Sequence, residues 1–468
     1  MLTSSVTDRL RELVGPPNLI TERDECLAYA YDGTALMRHE PKAVVMAHST
    51  EHVAAVLRLA NEVGFKVVPR GSGTGLSGGA VPVDDCVVLC TLPMNRVLEI
   101  DQENLTATVE PGVITANLHA AVEAVDLFYP PDPGSMKVCT LGGNVAENAG
   151  GLRGLKYGVT RDYVMGLEVV LPTGEVMWTG GKNAKDVAGY NLRQLFVGSE
   201  GTLGVFTKIL VRLLPRPRAR KTMLAVYDRM AGAAETVAAI IAARIIPATL
   251  EFLDQVTLRC VEQAASIGLP TDAEAVLLME SDGHPAVVEE EGAQMAELAR
   301  KHGARSVQVA ATPAEALQLA SARRLAFPSL ARLRPTTVLE DVSVPRSRLV
   351  EMVEFVQRVA REEDLMIGTF GHAGDGNLHP TILMDERNQD EVERMHRAFR
   401  RIVEKAVELG GSITGEHGVG LLKKDFMEGL VGPHGLETMR RFRESMDPRQ
   451  VLNPGKMFSS RPRCEAVR

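Results

Sequence analysis

Lys66–Pro82 reads KVVPRGSGTGLSGGAVP, a short apolar run followed at once by a stretch dense in glycine. Gly73-Thr74-Gly75-Leu76-Ser77-Gly78 matches the pattern GxGxxG. In a dinucleotide-binding βαβ unit that pattern follows a strand and opens a helix. A strand is predicted here over Phe65–Pro69. No helix is expected after it, because Gly79 and Pro82 follow directly and another β run comes next. The stretch therefore does not predict a Rossmann turn. Successive glycines still let backbone N–H groups converge on an anion with no side chains in the way, and Arg70 adds positive charge. The plain alternative is a flexible surface loop.

Two more backbone-rich segments favour ligand binding over that alternative. Pro131–Gly151 reads PDPGSMKVCTLGGNVAENAGG, and Val197–Val205 reads VGSEGTLGV and leads into a strand. Three such segments imply one extended ligand contacted at many points.

Around these loops the pattern is mixed. Residues 1–40 read as a helical lead-in, Lys42–Ala47 as a short apolar run, and Thr50–Gly64 as a helix with a Ser/Thr cap and a terminal glycine. Short β runs lie between Cys86 and Glu110, and a helix over Thr115–Val125. Residues 130–160 show little periodicity. Gly166–Leu171 and Glu175–Trp178 flank Pro-Thr-Gly, a hairpin signal, and Gly204–Leu214 reads as a strand stopped by Pro215 and Pro217. A boundary is placed at about 215. Beyond it, strand-like runs at Lys221–Tyr227, Thr249–Leu253, Ala275–Glu280, Thr336–Asp341, Met366–His372 and Leu378–Leu383 alternate with helical runs at Arg229–Ala243, Pro285–His302, Pro313–Ala326, Pro345–Arg361 and Asn388–Leu409. This predicts an α+β domain, an antiparallel sheet with covering helices.

The bulk numbers exclude several classes. The chain has 468 residues, more than one ordinary core holds. Its net charge is −8, so no nucleic-acid footprint is expected. The one basic run, Arg212–Lys221, is Pro-broken and reads as a solvated linker. Cys26, Cys86, Cys90, Cys139, Cys260 and Cys464 are scattered without a CxxC pair, which argues against a disulfide framework and an iron–sulfur cluster. The N-terminal residues lack a signal-peptide core and no run reaches membrane-spanning length; a cytoplasmic protein is expected, peripheral to a membrane only through a partner.

Gly368–Leu383, GTFGHAGDGNLHPTIL, carries the chemistry. Asp375-Gly376 between strand residues is a two-residue hairpin signal. With those two at the tip, Gly374 pairs Asn377, Ala373 pairs Leu378, and His372 faces His379. Opposed residues have Cβ atoms about 4.5–5.5 Å apart, so two imidazoles there can share one metal, with Asn377 on the same face. Gly410–Gly420, GGSITGEHGVG, offers Glu416 and His417 between glycines. Two His and one Glu suit a divalent metal that keeps open positions. The competing possibility is two ordinary surface histidines in a tight turn.

These motifs carry a resemblance. PRGSGTGLSGG, then PDPGS with TLGGNVAENAGG, then GYNLRQLFVGSEGTLG resemble the FAD domain of the vanillyl-alcohol oxidase/p-cresol methylhydroxylase superfamily, in particular the group of glycolate oxidase FAD subunits, D-lactate dehydrogenases and D-2-hydroxyglutarate dehydrogenases. The resemblance covers nearly the whole chain. It implies a PCMH-type two-subdomain FAD-binding fold over 41–215 and an α+β cap domain over 216–457, with 1–40 before them and a tail at 458–468. It implies that the first loop wraps the FAD pyrophosphate and that the others line the ribityl chain and isoalloxazine ring. The implied contacts are Arg70, Gly71, Ser72, Gly73, Thr74 and Gly78; Pro133, Gly134 and Ser135; Thr140, Gly143, Asn144, Ala146 and Asn148; and Gly198, Ser199, Glu200, Gly201 and Thr202. Some relatives attach flavin through a His in the first loop. This loop has none, so non-covalent FAD is implied.

HAGDGNLHP and GEHGVG likewise resemble the motifs of those dehydrogenases. The resemblance assigns His372, His379 and Glu416 to a divalent metal (Zn, Mn or Fe), Asn377 to substrate contact, His417 to the catalytic base, and Arg323, in LQLASARRLAFPSL, to the substrate carboxylate. Arg324 beside it reads as a solvated helix charge. Two features depart from the pattern: Ala320 stands where relatives often have Trp, and no Lys lies near Leu339-Glu340-Asp341, where the hydroxyglutarate enzymes hold a distal carboxylate. A small acid such as glycolate or D-lactate is therefore expected over a long diacid. The implied reaction is hydride transfer from a small D-2-hydroxy acid to flavin. Without a CxxC cluster the electrons go to an external acceptor: oxygen, a quinone, a cytochrome, an electron-transfer flavoprotein or an iron–sulfur subunit. An oligomer is compatible with all of this. The rivals are another enzyme of the superfamily, such as an ether-lipid synthase or aldonolactone oxidase, and an electron-relay subunit without its own catalysis. A nicotinamide dehydrogenase is disfavoured by the missing helix after Gly78.

Overall fold

The apolar runs AVVM and CVVLC, with no polar alternation, suit strands covered on both faces. In the computed structural model, which describes residues 2–459, Ala43–Met46, Cys86–Cys90 and Lys66–Arg70 pair in parallel, and Leu19–Ile20 adds an antiparallel edge. The crossover is the helix Thr50–Val63. Ser49 accepts from His52 N at its start, and Gly64 at φ +92° ends it. The Gly-rich loop therefore leaves the carboxyl end of a parallel strand, where ligands of such sheets bind. No helix follows it before Cys86, as its sequence predicts. Cys464 lies outside the described residues, as does most of the tail; the other five cysteines are free and buried.

A second sheet is antiparallel throughout, in the order Val97–Asp101, Thr106–Val109, Val205–Arg212, Val164–Val170, Val176–Gly180. The Pro-Thr-Gly hairpin forms, with Gly174 at φ +84°. Within 130–160, where the sequence shows little periodicity, Leu141–Glu147 is a helix. Thr140 caps it by accepting from Gly143 N, and Asn148 ends it at φ +57°. Two glycines in one turn hide it, since each costs about 1 kcal/mol of helix propensity. Gly142 is required by packing, because a Cβ there would sit 2.7 Å from Pro111 Cβ. The basic run is also not a bare linker. Leu214–Pro215 pairs Leu127–Phe128, and the next strand already begins at Ala219.

The third sheet has eight strands, all antiparallel: Ala304–Val309, Ala219–Tyr227, Ala275–Gly283, Thr249–Asp254, Met366–His372, Asn377–Met384 and Thr336–Leu339, with Val342–Ser343 also pairing Asn377–Met384. Alternate residues of its central strands enter opposite cores. Leu250, Phe252, Leu277 and Met279 meet the helices Met230–Ala242, Leu349–Glu362 and Gln389–Glu408, while Leu253, Val276, Leu278 and Phe370 meet Gln255–Ala265 and Pro313–Arg324. The edge strand Ala304–Val309 and the helices Gln255–Ala265 and Met427–Met446 were not expected. The edge strand is mostly exposed and so lacks an apolar alternation. Met427–Met446 is broken by Gly432 at φ +72° before Pro433.

Asp254 fastens one end of this sheet. Its Oδ1 accepts from Thr257 N and caps Gln255–Ala265, and its Oδ2 accepts from Thr369 N, both at 2.8 Å. Losing a helix cap and stranding a buried donor together cost about 3 kcal/mol. Asp254→Ala should therefore lower the unfolding free energy of the FAD-loaded protein in urea by that amount; an unshifted midpoint would contradict the double anchor.

The chain then returns. Val67 N donates to Val451 O and Asn453 N to Val67 O, and Asn453 Nδ2 donates to Gly79 O and Glu200 O. The last described segment thus ties the eight-stranded half to the glycine loop.

Candidate active site and cofactor cavity

A cavity of about 640 Å³ lies where the three glycine loops meet the eight-stranded sheet. Of the residues expected at the cofactor, Arg70 through Thr74, Pro133 through Ser135, Thr140, Gly143, Asn144, Ala146, Glu200 and Gly201 line it. Gly78, Asn148, Gly198, Ser199 and Thr202 do not. They shape the loops instead. Gly78 N donates to Thr34 Oγ1, Arg161 N to Asn148 Oδ1, Gly198 N to Val145 O, and Thr202 Oγ1 to Ser199 O. The segment before residue 40 is thus a clamp on the first loop, and Gly33 N also donates to Gly75 O.

The first loop fits a phosphate-bearing group on three counts. A Cβ at Gly71 would lie 2.3 Å from Thr140 Oγ1, and Gly73, at φ +72°, would place a Cβ 2.1 Å from Arg70 Nη2. Arg70 is buried, with Nη1 donating to Tyr31 O at 2.6 Å. Among the described residues, no intrachain partner takes the N–H groups of Ser72, Gly73 or Thr74. Free amides, a fixed cation and no room for side chains form an anion-binding concavity.

At the other end, the two histidines lie together, but through a different register from the one expected. His372 pairs Asn377 and Phe370 pairs His379, so the tip is the four-residue Ala373–Gly376 and not Asp375-Gly376 alone. Asp375 N donates to His372 O and Gly376 N to Ala373 O. Tertiary contact decides this: Gly376, at φ +74°, has Val344 O where a Cβ would be, 2.1 Å away. The slip is two residues in pair sum, so the face is kept. His372, His379 and Asn377 still point one way, with the imidazole centroids 5.3 Å apart. They are buried rather than on the surface.

Glu416 Oε1 meets His372 Nε2 at 3.1 Å and His379 Nε2 at 3.3 Å. His417 stacks on His379, centroids 5.0 Å apart at 14°. The loop bearing them is pinned from both sides. Asp341 Oδ2 accepts from the backbone N–H of Gly415, Glu416 and His417 at 2.9–3.0 Å and from Thr414 Oγ1 at 2.6 Å. The Glu200 carboxylate accepts from Val419 N and Gly420 N, each at 2.7 Å. Gly415 is pressed on Asn377, whose side chain lies 2.5 Å from where a Cβ would be.

Electrostatics sort these groups. Burial lowers the His372 pKa, but the Glu251 and Glu416 charges outweigh it and carry it to about 10. Burial pushes His417 down to about 4 despite Asp341, so its imidazole is neutral near pH 7. Glu416 is opposed by burial yet falls well below the usual carboxylate range beside His372. His372, His379 and Glu416 offer ligand atoms within 4.8 Å of one another, and Glu416 Oε1 lies between the two imidazoles, a donor set that fits a divalent cation. The buried Nδ1 of His379, Nδ1 of His417 and Oδ1 of Asp341 also lack hydrogen-bond partners.

Arg323 is buried, with Nε on Glu251 Oε2 at 2.6 Å and its guanidinium over the Phe370 ring at 4.6 Å. Arg324 is not a solvated charge. Its two terminal nitrogens grip the buried Asp132 at 3.2 and 2.8 Å, and it lines the cavity. Sequence reasoning missed Glu251, Asp341 as the loop's anchor, and Glu147. Burial, then neighbouring Glu200, pushes Glu147 well above the carboxylate range. The available signal was an acid inside an apolar strand run, TLEFLD or TTVLED, which is rarely buried without a partner.

Against known proteins, residues 216–457 match the C-terminal domain of FAD linked oxidases, and residues 41–180 match an FAD binding domain. The glycolate oxidase subunit GlcD of Bacillus subtilis (strain 168) is 53% identical over 467 residues, covering 100% of this chain and 99% of that protein. A D-lactate dehydrogenase of Anaerostipes hadrus is 34% identical, covering 97% of this chain and 98% of that one. Among solved structures, p-cresol methylhydroxylase with substrate bound superposes with a TM-score of 0.80 at 19% identity, covering 97% of this chain and 96% of that chain.

Proposed function

Because the chain belongs to the FAD-linked oxidases, we propose that it oxidises a small D-2-hydroxy acid, of the glycolate or D-lactate type, to the 2-oxo acid and passes the electrons to an acceptor outside this chain. The observation that carries this is the meeting of Arg323, His372, His379, Glu416 and His417 at one end of the cavity whose other walls are the glycine loops. FAD held between the glycine loops would supply a two-electron acceptor for the C2 hydride, and a divalent cation held by His372, His379 and Glu416 would supply Lewis acidity toward the hydroxyl.

The chain's own residues do the rest. Arg323 binds the carboxylate, a task its planar fork suits, and Asn377 orients the substrate. His417, neutral and held by its backbone to Asp341, accepts the hydroxyl proton. Leu339, Phe327 and Phe370 line the same cavity and keep water from the reacting carbon. Lys423, buried behind the site, donates to Asp341 O at 2.6 Å and lies 3.5 Å from Glu340. It is committed to these partners, which supports a small acid over a diacid. Among the described residues, no helix is long and apolar enough to cross a membrane. The acceptor is proposed to be a separate redox protein, an iron–sulfur or electron-transfer flavoprotein subunit.

The test is anaerobic. D-lactate or glycolate should bleach the oxidised flavin band, D-2-hydroxyglutarate should do so far more slowly, and stripping divalent metal with a chelator should slow bleaching at least tenfold while FAD stays bound. A band that no 2-hydroxy acid bleaches would overturn the assignment.

A further inference from the structure

Glu251 stands in the middle of the strand Thr249–Asp254, directly across the ladder from His372. Its neighbours Leu250 and Phe252 turn into the opposite core, so Glu251 alone of these three faces the site. It is 1% exposed. Its two oxygens take different partners: Oε2 accepts from Arg323 Nε at 2.6 Å, and Oε1 lies 2.7 Å from His372 Nδ1. A buried carboxylate is costly unless each oxygen is met by charge or a donor. Here the two partners are the side chains assigned to different halves of the substrate grip.

We propose that Glu251 is a positioning residue that couples the carboxylate grip of Arg323 to the metal hold of His372. The inference rests on the function proposed above. By accepting at Nδ1, Glu251 fixes the proton of His372 on that nitrogen. Nε2, 3.1 Å from Glu416 Oε1, is then the nitrogen that a divalent cation would take in place of a proton. By engaging Nε of Arg323, it leaves the two terminal nitrogens as the free fork, while Phe370 supports the guanidinium plane. One rigid strand thus sets the direction of both ligands. Glu251 does not line the cavity, whereas Arg323 and His372 do, so it acts through these two side chains.

The test uses the FAD-loaded protein stripped of divalent metal, titrated with Zn²⁺ and in parallel with Mn²⁺ against a competing chelator. Glu251→Gln keeps the shape and an acceptor but removes the charge. It should weaken metal binding 10- to 100-fold, the range seen when a partner of a ligating imidazole is lost, and raise KM for D-lactate more than it lowers kcat, with FAD content unchanged. A structural role would instead lower thermal stability or FAD content and leave the metal affinity of the folded fraction at the wild-type value; that result overturns the proposal. Should Glu251→Gln yield no folded protein, Arg323→Met decides. It leaves His372 as sole partner of the Glu251 charge and should tighten metal binding several-fold, and an unchanged affinity overturns the coupling. Equal affinities in wild type and Glu251→Gln defeat this inference alone. A wild type that takes up neither metal defeats the metal assignment and the coupling together.

Discussion

His417→Ala should slow anaerobic flavin reduction by D-lactate or glycolate by about 10²- to 10⁴-fold, the usual contribution of a positioned general base, while leaving the FAD band and its binding intact. The argument is geometric first. Three backbone amides from Gly415 to His417 converge on Asp341 Oδ2, so the loop is held without help from the imidazole. Removing the ring therefore removes chemistry and not architecture. His379 lies parallel beneath it, and its Nε2 is turned to Glu416, so it cannot substitute. The protonation argument follows. Burial brings the His417 pKa down to about 4, so the ring is a free acceptor across the neutral range. The expected loss is then nearly flat between about pH 6 and 8. Stopped-flow absorbance of the flavin measures both points. Full turnover with normal FAD content would show that another group takes the proton.

Gly73→Ala should lower FAD affinity by about 100-fold, roughly 3 kcal/mol. Two costs act together. A non-glycine residue at φ +72° carries about 1 kcal/mol of backbone strain. The new Cβ would also lie 2.1 Å from Arg70 Nη2, and Arg70 cannot retreat without giving up Tyr31 O and its place beside the Tyr29 ring. The displaced guanidinium is the only side-chain cation the loop itself presents. Gly64→Ala is the matched control. Its φ is +92°, but nothing lies within 4 Å of the new atom, so it should cost about 1 kcal/mol of stability and leave FAD affinity unchanged. Flavin fluorescence on dilution separates the two variants, and equal FAD retention in both would refute the cradle.

Much of the site is legible in the sequence because glycine and histidine are costly to place without cause. PRGSGTGLSGG announces a backbone-built concavity, and the missing helix after Gly78 excludes a Rossmann turn on sequence grounds. HAGDGNLHP and GEHGVG place the imidazoles and the carboxylate, and period-2 alternation in the hairpin puts His372, His379 and Asn377 on one face. That facing survives a wrong register, since a shift of two in the pair sum preserves it. Glu251 is not legible. In TLEFLD it is one acid in an apolar run, and only the pairing of that strand with Met366–His372 brings it to His372.

Local pattern thus carries the class of the fold, the cofactor loops and the chemical types at the reacting end, because those depend on conformational need and on side-chain chemistry. Long-range contact settles the rest: which loop residues face the cavity, that Glu200 and Asp341 pin the loop bearing Glu416 and His417, that Arg324 is bound to Asp132, and that the last described segment returns to Val67. Each of these joins residues tens to hundreds of positions apart. No local pattern encodes such a contact. Burial does, by leaving a carboxylate with no stable place except against the donors that the other half of the chain provides.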